Sequence, residues 1–136
     1  MFNKGRWDSN NNKKKMVEKF KKIIEIIKNN KGRVDLFAFL KIDELSDKWS
    51  IVLSADEWMS EGGEGSEKDF EYVRNLIREN LSDDERLSIS RIGIFPKSNH
   101  LVIALLQYKS GTEIKDDTKV NGNIVHQGYI LESNSL

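Results

Sequence analysis

Apolar and polar positions alternate most regularly between residues 34 and 55. Residues 34–42 read VDLFAFLKI and residues 48–55 read KWSIVLSA, and both runs are rich in β-branched and aromatic side chains. The five residues between them make a connection of ordinary hairpin length. This pattern predicts a β-hairpin at the centre of the fold.

The two faces of this hairpin differ in polarity. Along the second run, Trp49, Ile51 and Leu53 fall on one side, whereas Ser50 and Ser54 fall on the other. A strand face with two serines has little apolar surface to bury. We therefore expect one face of the sheet to carry most of the core and the reverse side to be thinner.

Two longer segments have helical periodicity. In the first, apolar residues recur at i, i+4, i+7 and i+11, which predicts a helix over residues 13–28 that is capped by Asn11 or Asn12. In the second, residues 70–77 supply a similar apolar stripe and predict a helix that ends near Asn80. These two segments are the main helices of the predicted fold.

Shorter signals complete the chain. Residues 82–85 predict one helical turn, and residues 87–95 predict a strand that Pro96 ends because proline cannot donate to a ladder. Residues 100–108 predict a short helix, and a buried strand stays open because the run is too short for its period to decide. The Asn-Gly pair at 121–122 predicts a type I′ turn between two further strands.

These elements define an α+β fold. The chain of 136 residues has the length of one domain, and we predict a polar tail over residues 1–12 followed by a single domain over residues 13–136. The expected order is α, β, β, α, β, short α, β, β, with a mainly antiparallel sheet of about five strands. The two main helices are expected to pack on one face of that sheet.

Composition narrows the environment of the protein. The chain has no cysteine, so disulfides, thiolate zinc sites and cysteine nucleophiles are excluded. Its first residues lack the apolar core of a signal peptide, and its longest apolar run falls far short of the roughly 20 residues that span a bilayer. We therefore predict a cytoplasmic protein that does not associate with membranes.

Charge is balanced overall but unevenly distributed. The chain has 22 basic and 22 acidic residues. Residues 1–33 hold 11 Lys and Arg against 3 Asp and Glu, residues 34–86 hold 6 against 15, and residues 87–136 hold 5 against 4. The local net charges are therefore +8, −9 and +1. Such segregation indicates a polar partner or pairing between copies of the chain.

The hairpin sequence also carries a resemblance. Residues 32–40 read GRVDLFAFL, residues 47–55 read DKWSIVLSA, residues 90–92 read SRI, and a terminal strand is expected over residues 126–132. In these segments the chain resembles a set of small uncharacterised prokaryotic proteins that have a similar hairpin. The resemblance covers most of the chain and implies a single domain, and it implies no activity.

Candidate catalytic chemistry rests on three carboxylates. Asp35, Asp56 and Glu57 flank the predicted hairpin strands, and they form a metal-dependent site if the strand ends bring them together. Neither histidine belongs to a zinc-binding pair, and the glycine-rich loop at 60–66 lacks a phosphate-binding lysine. Outside this alternative we predict no cofactor and no metal site, and whether the acidic loop holds a divalent cation is left open.

Two surfaces and one edge are candidates for partner binding. Trp58, Glu61 and Glu64 lie in an acidic loop, where an aromatic side chain can anchor a protein. Lysines of the first helix can hold nucleic-acid phosphates without reading sequence. These lysines are Lys13, Lys14, Lys15, Lys19 and Lys22. An exposed sheet edge offers a route to homo-oligomers.

The preferred hypothesis is a noncatalytic cytosolic protein-interaction or regulatory module, because no pattern in the chain supplies a complete catalytic set. Such a module binds another protein through the acidic loop or through an exposed sheet edge. The first alternative is a nucleic-acid-binding protein that uses the lysines of the first helix. The second is a small metal-dependent enzyme that acts on nucleic acid or nucleotides through Asp35, Asp56 and Glu57.

Overall fold

The computed structural model of the chain describes residues 9–42, 48–59 and 67–134. The helices are α1 (Ser9–Asn30), α2 (Glu67–Asn80), α3 (Asp83–Leu87) and α4 (His100–Leu105). The strands are β1 (Leu36–Lys41), β2 (Trp49–Ser54), β3 (Ile89–Ile94), β4 (Thr112–Ile114), β5 (Thr118–Val120), β6 (Asn123–Val125) and β7 (Gln127–Ser133). Together they form an α+β fold, as predicted.

Five strands form one mixed sheet in the order β3-β2-β1-β7-β4. β1 runs antiparallel to β2 and to β7, and β4 runs antiparallel to β7. β3 instead pairs in parallel with β2, because the connection between them crosses over through α2 and α3. The sheet is therefore mainly antiparallel, which confirms the prediction.

The predicted central hairpin is confirmed in β1 and β2. Its register places Phe37 opposite Leu53 and Phe39 opposite Ile51. Because facing residues share one side of a sheet, these four side chains form a single apolar surface. α1 and α2 cover that surface, so the two main helices lie on one face as predicted.

Aromatic contacts hold α1 against the sheet. The ring centroid of Phe20 lies 5.0 Å from that of Phe39 and 5.5 Å from that of Phe37. Phe39 also lies 4.8 Å from Trp49 and 4.9 Å from Tyr129 between ring centroids. Contacts at these distances add to the stabilisation that each ring gains from burial. A cluster of five aromatic side chains therefore fixes α1 to β1, β2 and β7.

The reverse face of the sheet is covered as well, which corrects the expectation of a thinner side. Ser50 and Ser54 of β2 are both buried. A second apolar cluster fills this side, where α4 and the β5–β6 hairpin pack on the central strands. The serines of β2 indicate the polarity of that strand alone. The elements that cover this face come from residues 100–125, far along the chain, so the pattern in β2 could not predict them.

α1 starts earlier than predicted. It begins at Ser9, so Asn11 and Asn12 lie inside the helix and not at its N-cap. Residues 9–12 therefore belong to the helix and not to the predicted tail, and residues 1–8 lie outside the described part of the chain. Although α1 has 22 residues, neither it nor another described helix combines the length and apolar character needed to cross a bilayer.

The shorter signals are confirmed. α3 begins with a capping box, in which Ser82 and Glu85 each accept a hydrogen bond from the backbone N–H of the other. The run from residue 100, for which a helix and a buried strand were both open, forms the helix α4. The Asn99 side chain caps this helix. Asn121 and Gly122 have φ of 49° and 81°, as a type I′ turn requires.

The C-terminal strands divide differently from the prediction. The hairpin around the Asn-Gly turn consists of the three-residue strands β5 and β6, which pair with each other outside the main sheet. β7 returns to the main sheet and lies between β1 and β4. The main sheet therefore ends at the three-residue β4 on one side and at the six-residue β3 on the other.

Candidate functional site

Two of the predicted carboxylates meet where β2 ends and β1 begins. Asp35 is buried, with 3 % of its surface exposed. Arg33 Nε donates to Asp35 Oδ1 at 2.9 Å, and the backbone N–H of Asp56 donates to Oδ2 at 2.9 Å. Lys97 Nζ lies 3.9 Å from Oδ1. Both oxygens of Asp35 are therefore engaged by groups of the protein itself, as a buried charge requires.

The side chains of Asp56 and Glu57 also accept hydrogen bonds from backbone N–H groups. Asp56 Oδ1 accepts from the N–H of Lys97 at 3.0 Å, and Glu57 Oε1 accepts from the N–H of Arg33 at 3.2 Å. Within the described residues, no group of three or more His, Cys, Asp or Glu side chains could hold a metal ion. Instead, their oxygens accept hydrogen bonds from the chain segments that flank β1, β2 and β3.

Trp58 is half-buried and packs within the protein. Its indole N–H donates to the carbonyl oxygen of Arg33 at 3.1 Å, and its ring meets the ring of Tyr72 edge-on at 6.1 Å between centroids. These contacts connect the segment after β2 to α2, and they occupy the polar and apolar parts of the side chain. Glu61 and Glu64, the other predicted partner-binding residues of this loop, lie outside the described residues.

Lys19 of α1 forms an ion pair with α3. Its Nζ donates to Glu85 Oε1 at 2.6 Å, and Glu85 is 4 % exposed. The same oxygen accepts from the backbone N–H of Ser82 at 2.7 Å. Burial raises the pKa of Glu85, but the hydrogen bonds from Lys19 and Ser82 together outweigh burial, so the pKa is lowered. Lys19 therefore anchors α3 to α1.

The other lysines of the predicted nucleic-acid surface lie along α1. Lys14, Lys15 and Lys22 are exposed, and Lys13 is half-buried. In the part of the chain that the structure describes, none of these four forms an ion pair with a carboxylate. Glu18 lines the same cavity as Lys13 and Lys14, so charges of both signs meet there. With Lys19 engaged by α3, the basic surface is interrupted.

A groove of about 390 Å³ lies between α2, α3 and β3. Four arginines line it, and they are Arg74, Arg78, Arg86 and Arg91. Phenylalanine and isoleucine side chains of α2 and β3 form its floor, and no acidic residue lines it. We call this feature the arginine groove. Its lining is suited to an anionic ligand that also has an apolar part.

The arginines of the groove are only weakly paired within the protein. Arg74 and Arg86 each pair with an exposed carboxylate one turn away on the same helix, and Arg78 donates to a neutral amide oxygen. Arg91 forms no ion pair within the described residues. Exposed pairs of this kind contribute little to stability. An incoming carboxylate can therefore compete for these guanidinium groups.

β3 is an edge strand, and no described strand pairs with its outer side. On its inner side, the N–H of Phe95 donates to the carbonyl oxygen of Leu53 at 2.9 Å, and Ile51 and Leu53 lie opposite Ile92 and Ile94. In this parallel register the backbone groups of Ile92 and Ile94 point away from β2. Ile92 lines the arginine groove, so its outward N–H and C=O groups are placed to pair with another strand, whereas Ile94 is only 5 % exposed.

A second cavity, of about 220 Å³, lies on the opposite face of the same edge. Val52, Phe95 and Leu101, which belong to the cluster under α4, supply its apolar wall. Ser90 and Arg91 line both this cavity and the arginine groove. We call it the apolar cavity. The open edge of β3 thus has a basic groove on one face and, on the other, a cavity that combines this apolar wall with the cations Lys48 and Arg91.

The arginine groove was not predicted from the sequence. Two features of the sequence could have indicated it. Arg74 and Arg78 are one turn apart on a predicted helix, and Arg91 lies among the isoleucines of a predicted strand. Three of the four arginines fall in the segment 34–86, whose net charge is −9 because 15 acidic residues outnumber 6 basic ones. Counting charge along the chain therefore conceals a basic surface that forms only in the fold.

Comparison with known proteins gives no further guide to the site. No protein-family model, curated protein or solved structure matches the chain. The resemblance to small prokaryotic proteins therefore stays a prediction. The function has to be inferred from the geometry of the described residues.

Replacing Asp35 by asparagine should destabilise the fold. Asp35→Asn removes the charge that Arg33 and Lys97 surround, so the free energy of unfolding should fall by about 1–3 kcal/mol in urea denaturation. Asp56→Asn is the matched control, because Asp56 is exposed and its amide oxygen can still accept from Lys97. The control should lose less than about 1 kcal/mol.

Equal losses in the two variants would contradict the assigned role of Asp35. A metal titration tests the alternative enzyme hypothesis on the same proteins. If Mg²⁺ raised the melting temperature of the native chain and Asp35→Asn abolished that rise, the carboxylates would be cation ligands.

The Glu85 ion pair should make stability depend on pH. The folded pKa of Glu85 is lowered from its ordinary value of 4.5, so its stabilisation is present above about 4.5 and is lost as pH falls through the folded pKa. Unfolding measured from neutral pH to about pH 3 should therefore show a smaller loss of stability in Glu85→Gln than in the native chain. An identical pH profile in both proteins would refute this assignment.

Lys19→Met tests the same pair from the other side. It leaves the buried Glu85 carboxylate without its cation and should cost about 1 kcal/mol or more at neutral pH. Lys21→Met is the control, because the 3.7 Å pair between Lys21 and Glu18 is exposed and should contribute no more than about 0.5 kcal/mol.

Proposed function

We propose that the chain is a noncatalytic protein-interaction module that binds an acidic protein partner along the open edge of β3. The observation that carries this proposal is the position of the arginine groove beside the outward backbone groups of Ile92. Addition of a strand to a sheet edge is a recurring mode of recognition, in which main-chain hydrogen bonds supply affinity. The arginines would add charge complementarity and direct the encounter.

A different protein suits this edge better than a second copy of the chain. When two identical edge strands pair antiparallel, the twofold axis is perpendicular to the sheet, so the same face of both copies lies on the same side. The two arginine grooves would then adjoin, and like charges would repel. The arginines therefore oppose the homo-oligomer that an exposed edge otherwise permits.

The two alternative functions have less support. The lysines of α1 that the nucleic-acid hypothesis requires include Lys19, which is bound to Glu85, and they are interrupted by Glu18. The carboxylates that the enzyme hypothesis requires accept hydrogen bonds from the chain itself, with both oxygens of Asp35 occupied. Binding without chemistry suits a regulatory role, and the cysteine-free composition fits a reducing cytoplasm.

Charge reversal in the groove tests the proposed function. In a pull-down from cells of the source organism, the tagged full chain should capture an acidic protein that Arg74→Glu/Arg78→Glu no longer captures. Arg74 and Arg78 are exposed and weakly paired, so both variants should keep the native circular dichroism spectrum and melting temperature. Loss of capture then reflects the surface.

The matched control is Lys14→Glu/Lys15→Glu, which makes the same change of charge on exposed positions of α1. Capture should survive both this control and nuclease treatment. Capture that disappears with nuclease and with the lysine variant would replace the proposal with nucleic-acid binding. Capture that is unchanged by the arginine variant would exclude the groove as the binding site.

A further inference from the structure

The two cavities border β3, one on each face of the sheet. The arginine groove belongs to the face covered by α1 and α2, because its isoleucines pack on that apolar cluster. The apolar cavity belongs to the face covered by α4. Ser90 and Arg91 of β3 border both. The cavities therefore flank a single line along which a partner strand would run.

The backbone of β3 determines which side of an added strand faces which cavity. A new strand would pair with the outward groups of Ile92, at the usual strand spacing of about 4.8 Å. Successive side chains of any strand point to opposite faces of the sheet. Every second side chain of the partner would therefore meet the arginine groove, and the intervening ones would meet the apolar cavity.

The chemistry of the two faces differs. The groove offers the guanidinium groups of Arg74, Arg78 and Arg86, which bind carboxylates through paired hydrogen bonds. The apolar cavity offers the side chains of Val52, Phe95 and Leu101 as its apolar wall, and Lys48 and Arg91 also line it. Its volume of about 220 Å³ suits one or two medium-sized aliphatic side chains and excludes a large ligand.

We propose that the partner presents an extended segment in which acidic and aliphatic residues alternate, with the acidic residues in the arginine groove and the aliphatic residues in the apolar cavity. This inference rests on the proposed function, since it assumes binding at the β3 edge, and it adds the sequence pattern that the edge selects. Main-chain pairing accounts for affinity, and the two cavities account for specificity.

Synthetic peptides test the pattern directly. The first probe is a fluorescein-labelled Ser-Glu-Val-Glu-Val-Glu-Val-Ser, titrated with the 136-residue chain by fluorescence anisotropy. The second has the same composition in block order, Ser-Glu-Glu-Glu-Val-Val-Val-Ser, so that charge and hydropathy are matched. The alternating peptide should bind at least about tenfold more tightly, the effect of one interface hot spot.

Methylation of the peptide backbone tests strand pairing. In a strand, the N–H groups of alternate residues point to the same side, so N-methylation of all glutamates and N-methylation of all valines block opposite edges. One of these two peptides should lose binding to the chain and the other should keep it. Equal effects of the two methylations would overturn strand addition at β3.

A charge swap tests the assignment of the two faces. Arg74→Glu/Arg78→Glu should weaken binding of the alternating glutamate peptide by at least about tenfold. The same variant should bind the peptide with lysine in place of glutamate more tightly than the native chain does. This gain of binding cannot arise from misfolding. Failure of the swap would remove the arginines from the binding site.

The outcomes separate this inference from the proposed function. If the alternating and block peptides bound equally well, and both depended on the arginines, the alternating pattern would be overturned. The proposal of an acidic partner at the edge would stand. Arginine-dependent capture of a protein from cells, with neither peptide bound up to about 1 mM, would do the same. Peptide binding that does not depend on Arg74 and Arg78 would overturn both.

Discussion

The parallel pairing of β3 with β2 is the constraint on which the candidate site depends. A parallel neighbour cannot follow a tight turn, so the chain must leave β2, cross over through α2 and α3, and return to the starting end of the sheet. That crossover brings Arg74, Arg78 and Arg86 beside β3, the strand at the edge of the sheet. The same topology therefore creates the open edge and supplies the charges that border it.

Buried carboxylates at the two ends of the crossover keep it in place. Asp35 holds the N–H of Asp56 just after β2 and lies near Lys97 just after β3, while Glu85 ties α3 to Lys19 of α1. Each carboxylate is satisfied by several donors, which is the condition under which a buried charge is tolerated. These carboxylates therefore help to fix the position of β3, beside which the arginines lie.

The extent to which the fold could be predicted follows from the range of the interactions involved. The β1–β2 hairpin, α2 and the Asn121-Gly122 turn depend on neighbouring residues, so periodicity and turn chemistry were enough to predict them. The burial of Ser50 and Ser54 depends on α4 and on the β5–β6 hairpin, which fold back from far along the chain. No local pattern in β2 contains that information.

The candidate site was less predictable than the fold for the same reason. Asp35, Asp56 and Glu57 flank the strands of a hairpin, whose ends are neighbours in space, so the sequence could suggest that they meet. Whether their oxygens face a metal ion or backbone N–H groups depends on Arg33 and Lys97, and Lys97 lies on a distant segment. The arginine groove combines residues from α2, α3 and β3, and it exists only once the parallel strand is in position.

The most direct test of the central claim is residue-resolved amide hydrogen exchange of the chain with and without the alternating acidic peptide. If a partner strand adds to the edge, the amide of Ile92 gains protection when the peptide is bound, because its N–H group points away from β2. The amide of Phe95, already bonded to Leu53, changes little. Bound peptide with unchanged exchange at Ile92 would contradict the account.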